Sequence, residues 1–528
     1  MTGALPPDFT TLPFNMAAYC IGQAARTRPN HPALIVIDDP KSARPCELWT
    51  FRELEVAVLN TAAALLRRGL EPGARIVIAL ENTSTYAVLF FGAIAGGFVP
   101  LPVSTQLTAP ELNFLISDSG AELVALACNA ARPQLAAGVQ LADGDQIARW
   151  AEGDAGAPYA QTKANDPAFL IYTSGTTAQP KGVLHAHRSA LGRRPMYQSW
   201  YGLSSADRML HAGAFNWTFT LGTGLTDPWA NGATAIVYTG DKDPVLWPHL
   251  IAQTGATLFA AVPSLYRQIL KYASPSASAL GALRHGLMAG ETPPPGLFEA
   301  WEGETAKPLY EALGMSEIST YISSGPDTPR VPGKVGRPQP GRRVAIINAD
   351  GGDIPLAPGE EGLIAVHRSD PGLMIGYWQR PEEQRAVLRA EWFTGGDAGR
   401  IDDGGYVTHL GRANDIMKAF GYRVSPQEVE TAIAQCPGVA EVACAEVRVR
   451  HDVSVIGAFV VRAAGAKLDE QTLLNFASER LAAYKIPRQV VFLDALPRTP
   501  NGKLKRSMLQ NSGFVIPGEP MARPGTQT

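Results

Sequence analysis

Apolar residues recur at helical spacing over residues 51–68 (FRELEVAVLNTAAALLRR), and Thr50 stands where it can cap the first turn, so this stretch predicts an amphipathic helix. The run RIVIAL at 75–80 predicts a buried strand. TYAVLFFGAIAGGF at 85–98 predicts a packed helix leading into a further apolar segment at 99–103. Farther along, 168–172 predicts a short buried strand, 189–201 a helix, ATAIVY at 233–238 a strand, and 243–254 a helix. Strand and helix units alternating in this way predict an α/β fold with parallel sheets covered on both faces. The Gly- and Pro-rich tract 325–341 interrupts the alternation, and 343–347, 362–367 and 406–410 predict strands of a smaller sheet or barrel. From Pro426 onward come a helix at 427–435, strands at 439–448 and 453–461, a helix at 469–481 and a strand at 489–493. That is an α+β unit of about a hundred residues, long enough to fold separately. No tandem repeat is visible. The tail 513–528, with three prolines and no periodicity, is expected to be mobile.

Composition narrows this picture only a little. A chain of 528 residues exceeds the size at which single cores stop growing, so two or more domains are expected. Lys plus Arg 46 against Asp plus Glu 49 gives a formal net charge of −3, without the global basic field that attracts nucleic acid. Cys20, Cys46, Cys128, Cys436 and Cys444 form no CxxC pair and read as free thiols in a reducing compartment. The N-terminus has no basic region followed by an apolar block, hence no signal peptide, and the apolar stretch 88–103 falls short of a membrane span. A cytoplasmic enzyme is expected.

The run YTSGTTAQPKG at 172–182 carries the most chemistry. Gly175 and Gly182 let backbone N–H groups approach an anion; Thr173, Ser174, Thr176 and Thr177 add hydroxyl donors, and Lys181 adds a mobile positive charge. It is not the Walker loop, because lysine precedes glycine and no Ser or Thr follows. A Ser/Thr/Gly cluster alone is more often a plain surface loop. Its place directly after a buried strand favours a cradle for a nucleotide polyphosphate.

The whole run resembles the phosphate loop of the adenylate-forming superfamily: acyl- and aryl-CoA synthetases, the adenylation domains of peptide synthetases, and luciferases. The resemblance continues in order through YEALGMSE at 310–317, WFTGGDAG at 392–399, GRANDIMKAFGYRVSPQEVE at 411–430 and PRTPNGKLKR at 497–506. It implies a large N-terminal core (1–413) for acid and ATP, a hinge (414–415), a C-terminal lid (416–512) that rotates between two reactions, and the tail beyond. It also implies ATP, Mg²⁺ and coenzyme A as reaction partners.

Residue by residue, the resemblance makes Glu317 the ligand of the Mg²⁺ that bridges the ATP phosphates, a cation that takes oxygen ligands. Ser316, where the family usually has threonine, reaches the α-phosphate. Ala312, Leu313 and Gly314 form a shelf beside the adenine, opposed by Gly290, Glu291 and Thr292. Asp397 is the ribose carboxylate, an acceptor for both hydroxyls, and Arg412 also reaches the ribose. Gly395 stands where the family usually has Thr or Ser. Asn414 falls at the hinge, where the family usually has Asp or Lys, and Asp415 is the alternative pivot. Gly421 lies beside the pantetheine path, Phe420 next to it replaces a frequent Ser, and Arg423 faces phosphate. Lys503 matches the lysine that brings positive charge to the α-phosphate and the carboxylate during adenylation. Pro497 and Gly502–Lys503 also resemble a recognition pattern of bacterial lysine acetyltransferases, so acetylation and deacetylation of Lys503 are expected to switch adenylation.

The acid slot is expected in HAGAFNWTFTLGTG at 211–224, where Phe215, Trp217 and Phe219 with Gly222 and Gly224 fit either an apolar slot or ordinary core. Asn216 stands where amino-acid-activating domains carry an aspartate, which favours an acid without an amino group. Residues 262–267, Leu313, Gly314 and Met315 are expected to complete the wall. The reading is an acid–CoA ligase for a medium-chain or an aromatic or cyclic acid. A stand-alone enzyme loading a carrier protein, a luciferase-like oxygenase and a non-catalytic nucleotide-binding module are the alternatives, and a homodimer is possible.

Overall fold

Thr50 ends the strand Glu47–Thr50 and caps the helix Phe51–Arg67: its hydroxyl accepts from the Glu53 amide, and the Glu53 carboxylate accepts from the Thr50 amide at 2.8 Å. The computed structural model describes residues 9–42, 44–154, 156–173, 180–415, 417–419, 422–450, 453–481, 483–498 and 504–510. Within them the alternating pattern becomes the expected α/β layers. Strands Val99–Pro102, Arg75–Ala79, Leu123–Leu126 and Gln140–Asp143 form an all-parallel sheet in that order. Beside it runs a nine-stranded sheet, parallel through Leu309–Met315, His285–Ala289, Leu258–Ala261, Arg208–His211, Thr234–Tyr238 and Pro32–Ile37, with antiparallel strands at both edges. The smaller antiparallel sheet contains Val344–Ile347, Gly362–His367, Trp392–Ile401 and Val407–Arg412.

Several elements differ from expectation for identifiable reasons. The helix expected at 189–201 is two short helices, Ser189–Gly192 and Arg194–Ser199, because Pro195 has no amide to donate and must open a new helix. The helix expected at 85–98 runs Ser84–Ala95, with Thr83 as its N-cap and Gly96 as its C-cap. The strand Lys181–Ala186, which the loop pattern had hidden, pairs antiparallel with Pro167–Thr173, and Gly376–Tyr377 joins it as a third strand. The run at 172–182 therefore ends one strand and opens its antiparallel partner, with Thr173 facing Lys181.

Beyond Met417, the helix Pro426–Ile433, strands Val439–Arg450, Val453–Arg462 and Gln489–Leu493, and the helix Glu470–Ser478 pack on one another around Val429, Ile433, Cys444, Ile456 and Leu473. Among the described residues, Ser425 Oγ donates to the Leu410 carbonyl at 2.6 Å, Gln427 Nε2 donates to Thr292 Oγ1 at 2.8 Å, and Arg506 pairs with Asp415 at 3.7 Å, tying this part to the preceding chain. Among the described residues no helix is long and apolar enough to cross a membrane.

Candidate active site

The strand Leu309–Met315 reverses through Ser316 into Ser319–Ser323, which places Glu317 at the turn beside the hairpin strand Lys181–Ala186. Tyr377, from the strand added to that hairpin, donates its hydroxyl to Glu317 Oε1 at 2.7 Å. Lys181 Nζ lies 3.9 Å from the centroid of the same tyrosine ring and 3.4 Å from the Glu383 carboxylate. One ring thus connects the lysine of the phosphate run with the expected metal carboxylate. On the other side, His185 Nε2 lies 2.8 Å from the Ser316 carbonyl, so this nitrogen carries the proton.

Asp397 and Arg412 face each other across paired strands, with Arg412 Nε 3.4 Å and His409 Nε2 3.1 Å from Asp397 Oδ1. Arg412 also donates to the Gly395 carbonyl at 2.6 Å. Gly395 explains its own departure from the family pattern. A Cβ there would overlap the Met315 side chain, which fills the space that Thr or Ser would occupy. A continuous chain of contacts therefore runs from Asp397 through Arg412, Gly395 and Met315 to the turn at Ser316 and Glu317, then through Tyr377 to Lys181.

Ala312, Leu313 and Gly314, the residues expected beside the adenine, sit on the strand Leu309–Met315, adjacent to Ala289 and the turn at Gly290. Gly290 has φ +91°, and Glu291 accepts from the Ser264 amide at 3.2 Å. Sequence reading overlooked Glu311 on the same strand. Burial pushes its carboxyl up to about 8, so it is protonated over much of the neutral range and can donate as well as accept. A carboxyl inside an otherwise apolar strand was the available signal.

The aromatic cluster divides. Phe215 belongs to the core, its ring 5.1 Å from Tyr86 and its carbonyl accepting from Tyr86 Oη. Phe219 packs against His211 at 4.5 Å and Trp200 at 5.9 Å. Asn216, Trp217 and Thr218 remain half-buried. Gly222 is not open space: a Cβ there would overlap the Arg193 guanidinium, which makes a two-pronged ion pair with Asp227 at 2.7 and 2.6 Å. Tyr201 Oη donates to the same carboxylate at 2.7 Å. A small cavity between Phe169, His185, Thr218, Leu221, Gly222 and Ser316 adjoins this network.

Lys181 and Thr173 flank the turn whose Ser174, Gly175, Thr176 and Thr177 lie outside the described residues, as do Gly421 and Lys503. Asn414 lies in the single turn Ala413–Asp415 and Arg423 on the strand Tyr422–Val424, with side chains outside the described set. No group of three or more His, Cys, Asp or Glu among the described residues converges as a metal cage. Mg²⁺ fits one carboxylate such as Glu317 only if phosphates and water supply its other ligands.

Fold and site bring the expected phosphate lysine Lys181, Glu317 and the Asp397–Arg412 pair into one region of an α/β enzyme fold. The comparisons agree. Residues 21–378 match the AMP-binding enzyme model, and 428–503 match the AMP-binding enzyme C-terminal domain. The chain is 30% identical over 492 residues to the 3-hydroxybenzoate–CoA ligase of Aromatoleum sp. (strain CIB), covering 90% of this chain and 93% of that one. ATP-bound MatB from Rhodopseudomonas palustris superposes with TM-score 0.85 at 27% identity, covering 95% of this chain and 99% of the other. A benzoate CoA ligase from Burkholderia xenovorans LB400 gives TM-score 0.83 at 28% identity over 94% of this chain and all 100% of that one. The chain belongs to the AMP-binding enzyme family, the adenylate-forming superfamily, and its enzyme class is acyl-CoA synthetase.

Proposed function

We propose that this protein is an ATP-dependent carboxylic acid–CoA ligase acting on an aromatic, cyclic or medium-chain acid. The observation that supports the reading is the chain of contacts from Asp397 through Arg412, Gly395, Met315, Glu317 and Tyr377 to Lys181, which links the residues read as ribose acceptor, metal carboxylate and phosphate lysine. Asp397 and Arg412 hold the ribose; Ala312, Leu313 and Gly314 flank the adenine, and Glu311 meets its polar edge. Lys181 and the hydroxyls of 173–177 hold the β- and γ-phosphates as the leaving group. When bound, Mg²⁺ at Glu317 neutralises the charge of the phosphates.

The acid carboxylate attacks the α-phosphorus, pyrophosphate departs, and an acyl adenylate forms. No general base is needed, because the nucleophile is already ionised. Ser316 and Lys503 stabilise the charge developing at the α-phosphate. A turn about Asn414 then brings Gly421 and Arg423 to the site, and the CoA thiol attacks the mixed anhydride and releases AMP. Asn216 and half-buried Trp217 line the acid slot, and Phe219, wedged between His211 and Trp200, bounds its depth and favours a compact acid.

AMP release with CoA and a panel from acetate to octanoate, with benzoate and cyclic acids, tests the reading. Turnover peaking on single-ring or medium-length acids is expected; turnover confined to long chains, or AMP absent throughout, would refute it. Lys503→Ala should abolish adenylation yet still convert a supplied acyl adenylate to thioester.

A further inference from the structure

Lys181 contacts groups that are not its expected ligand. Its ammonium stands on the Tyr377 ring at 3.9 Å and pairs with Glu383 at 3.4 Å, and Glu383 comes from the short helix Pro381–Ala386. The pair is only partly shielded, with the lysine side chain 17% and the glutamate 33% exposed. Glu383 has a second cation, Arg380, at 3.8 Å, and Arg380 is anchored by Asp118 at 2.7 Å. Asp118 in turn accepts from Tyr172 Oη at 2.5 Å, at the base of the same hairpin. Removing Lys181 from Glu383 therefore strands neither partner: the glutamate keeps Arg380 and water, and the lysine keeps the face of Tyr377.

We propose that Glu383 is a built-in counter-ion that occupies Lys181 until the triphosphate arrives, so that nucleotide binding exchanges a carboxylate for phosphate oxygens on one ammonium. Tyr377 guides the exchange: its ring supports the lysine in either position while its hydroxyl holds Glu317 at 2.7 Å. The exchange lowers ATP affinity and keeps Lys181 ordered near its place of use, in a partly exposed pair of the kind that contributes little to stability. The inference rests on Lys181 being a phosphate ligand, as proposed above.

Calorimetric titration of ATP with Mg²⁺ into the full chain, without acid or CoA, tests it. Glu383→Gln should tighten ATP binding by about two- to fivefold, the range of a partly exposed ion pair. Lys181→Ala should weaken it by about tenfold or more, as for a lost bond to a charged group. On the Lys181→Ala background, Glu383→Gln should have no further effect. A gain that persists without Lys181 would mean that Glu383 merely repels phosphate through space, and no gain in the single variant would mean that it does not compete; either overturns the proposal while the phosphate reading stands. Unchanged affinity in Lys181→Ala would instead remove that reading, and the exchange with it. Thermal unfolding of Glu383→Gln without nucleotide should match the parent, which separates competition from a structural defect.

Discussion

The regions expected to hold the acid and the nucleotide both rest on a carboxylate paired with a cation, but they differ in burial. Arg193 and Asp227 are 8% and 0% exposed, and Tyr201 completes the carboxylate's bonding. Lys181 and Glu383, and Arg412 at 54% exposed facing Asp397, are open enough for water and substrate to compete. A fully desolvated pair cannot exchange partners without exposing an uncompensated charge, whereas a partly solvated one can at smaller cost. Burial thus separates pairs that serve as framework from pairs open to exchange.

The histidines around the framework give the largest expected effect. Burial drives His185, His187 and His285 down to about 4 and His211 to about 3. His187 Nδ1 accepts from the Met16 amide and His211 Nδ1 from the Gly213 amide, so both rings are held neutral. A folded pKa below the unfolded value near 6.5 means that the unfolded chain binds more protons between those values, so stability falls as pH drops from about 6.5 toward 4. Each such histidine contributes ~1.4 kcal/mol per pH unit through that window. Glu311 acts oppositely: its raised pKa costs stability as pH rises from about 4.5 to 8, one group against four. Urea unfolding at pH 7, 6 and 5 should show a steep loss on the acid side; a flat profile would remove the framework assignment of these rings.

Next in size is the pair itself. Asp227→Asn leaves Arg193 buried without a counter-charge and should cost about 3–5 kcal/mol in chemical unfolding. Arg193→Met together with Asp227→Leu should recover much of that loss, because the expensive charge is gone from both sides. Failure of the double variant to recover would show that Tyr201 and Gly222 depend on the ions and not only on the volume they fill.

The two sides were unequally legible in sequence. Short-range rules found the helix Phe51–Arg67 with its Thr50 cap, because the capping partner Glu53 lies within its first turn, and the strand Gln489–Leu493, because its own run is apolar and β-branched. On the nucleotide side, Glu317, Asp397 and Arg412 could be singled out because they sit in runs that resemble the motifs of the adenylate-forming superfamily. Arg193 and Asp227 are 34 positions apart with no motif joining them, so their pairing, and with it the crowding over Gly222, appears only when the chain folds. Lys181–Ala186 escaped notice for the same reason: its strand character comes from pairing with Pro167–Thr173 and Gly376–Tyr377.

On the nucleotide side, substitutions should move binding and leave stability almost untouched. Asp397→Asn removes a charged acceptor from the expected ribose site and should raise the KM for ATP about tenfold or more, as for a lost hydrogen bond to a charged group. Arg412→Gln should do less. Its side chain is more than half exposed, and an exposed pair contributes about 0.2–1 kcal/mol, so the KM for ATP should rise about one- to fivefold and Tm should stay near the parent value. The two readouts together separate roles that the geometry alone joins. If Arg412→Gln lowered Tm as much as Asp227→Asn, exposure would not distinguish exchangeable pairs from framework pairs in this fold. If it left Tm alone while the Asp397 variant lost ATP affinity, the carboxylate would be the ribose anchor and the arginine its partly solvated support.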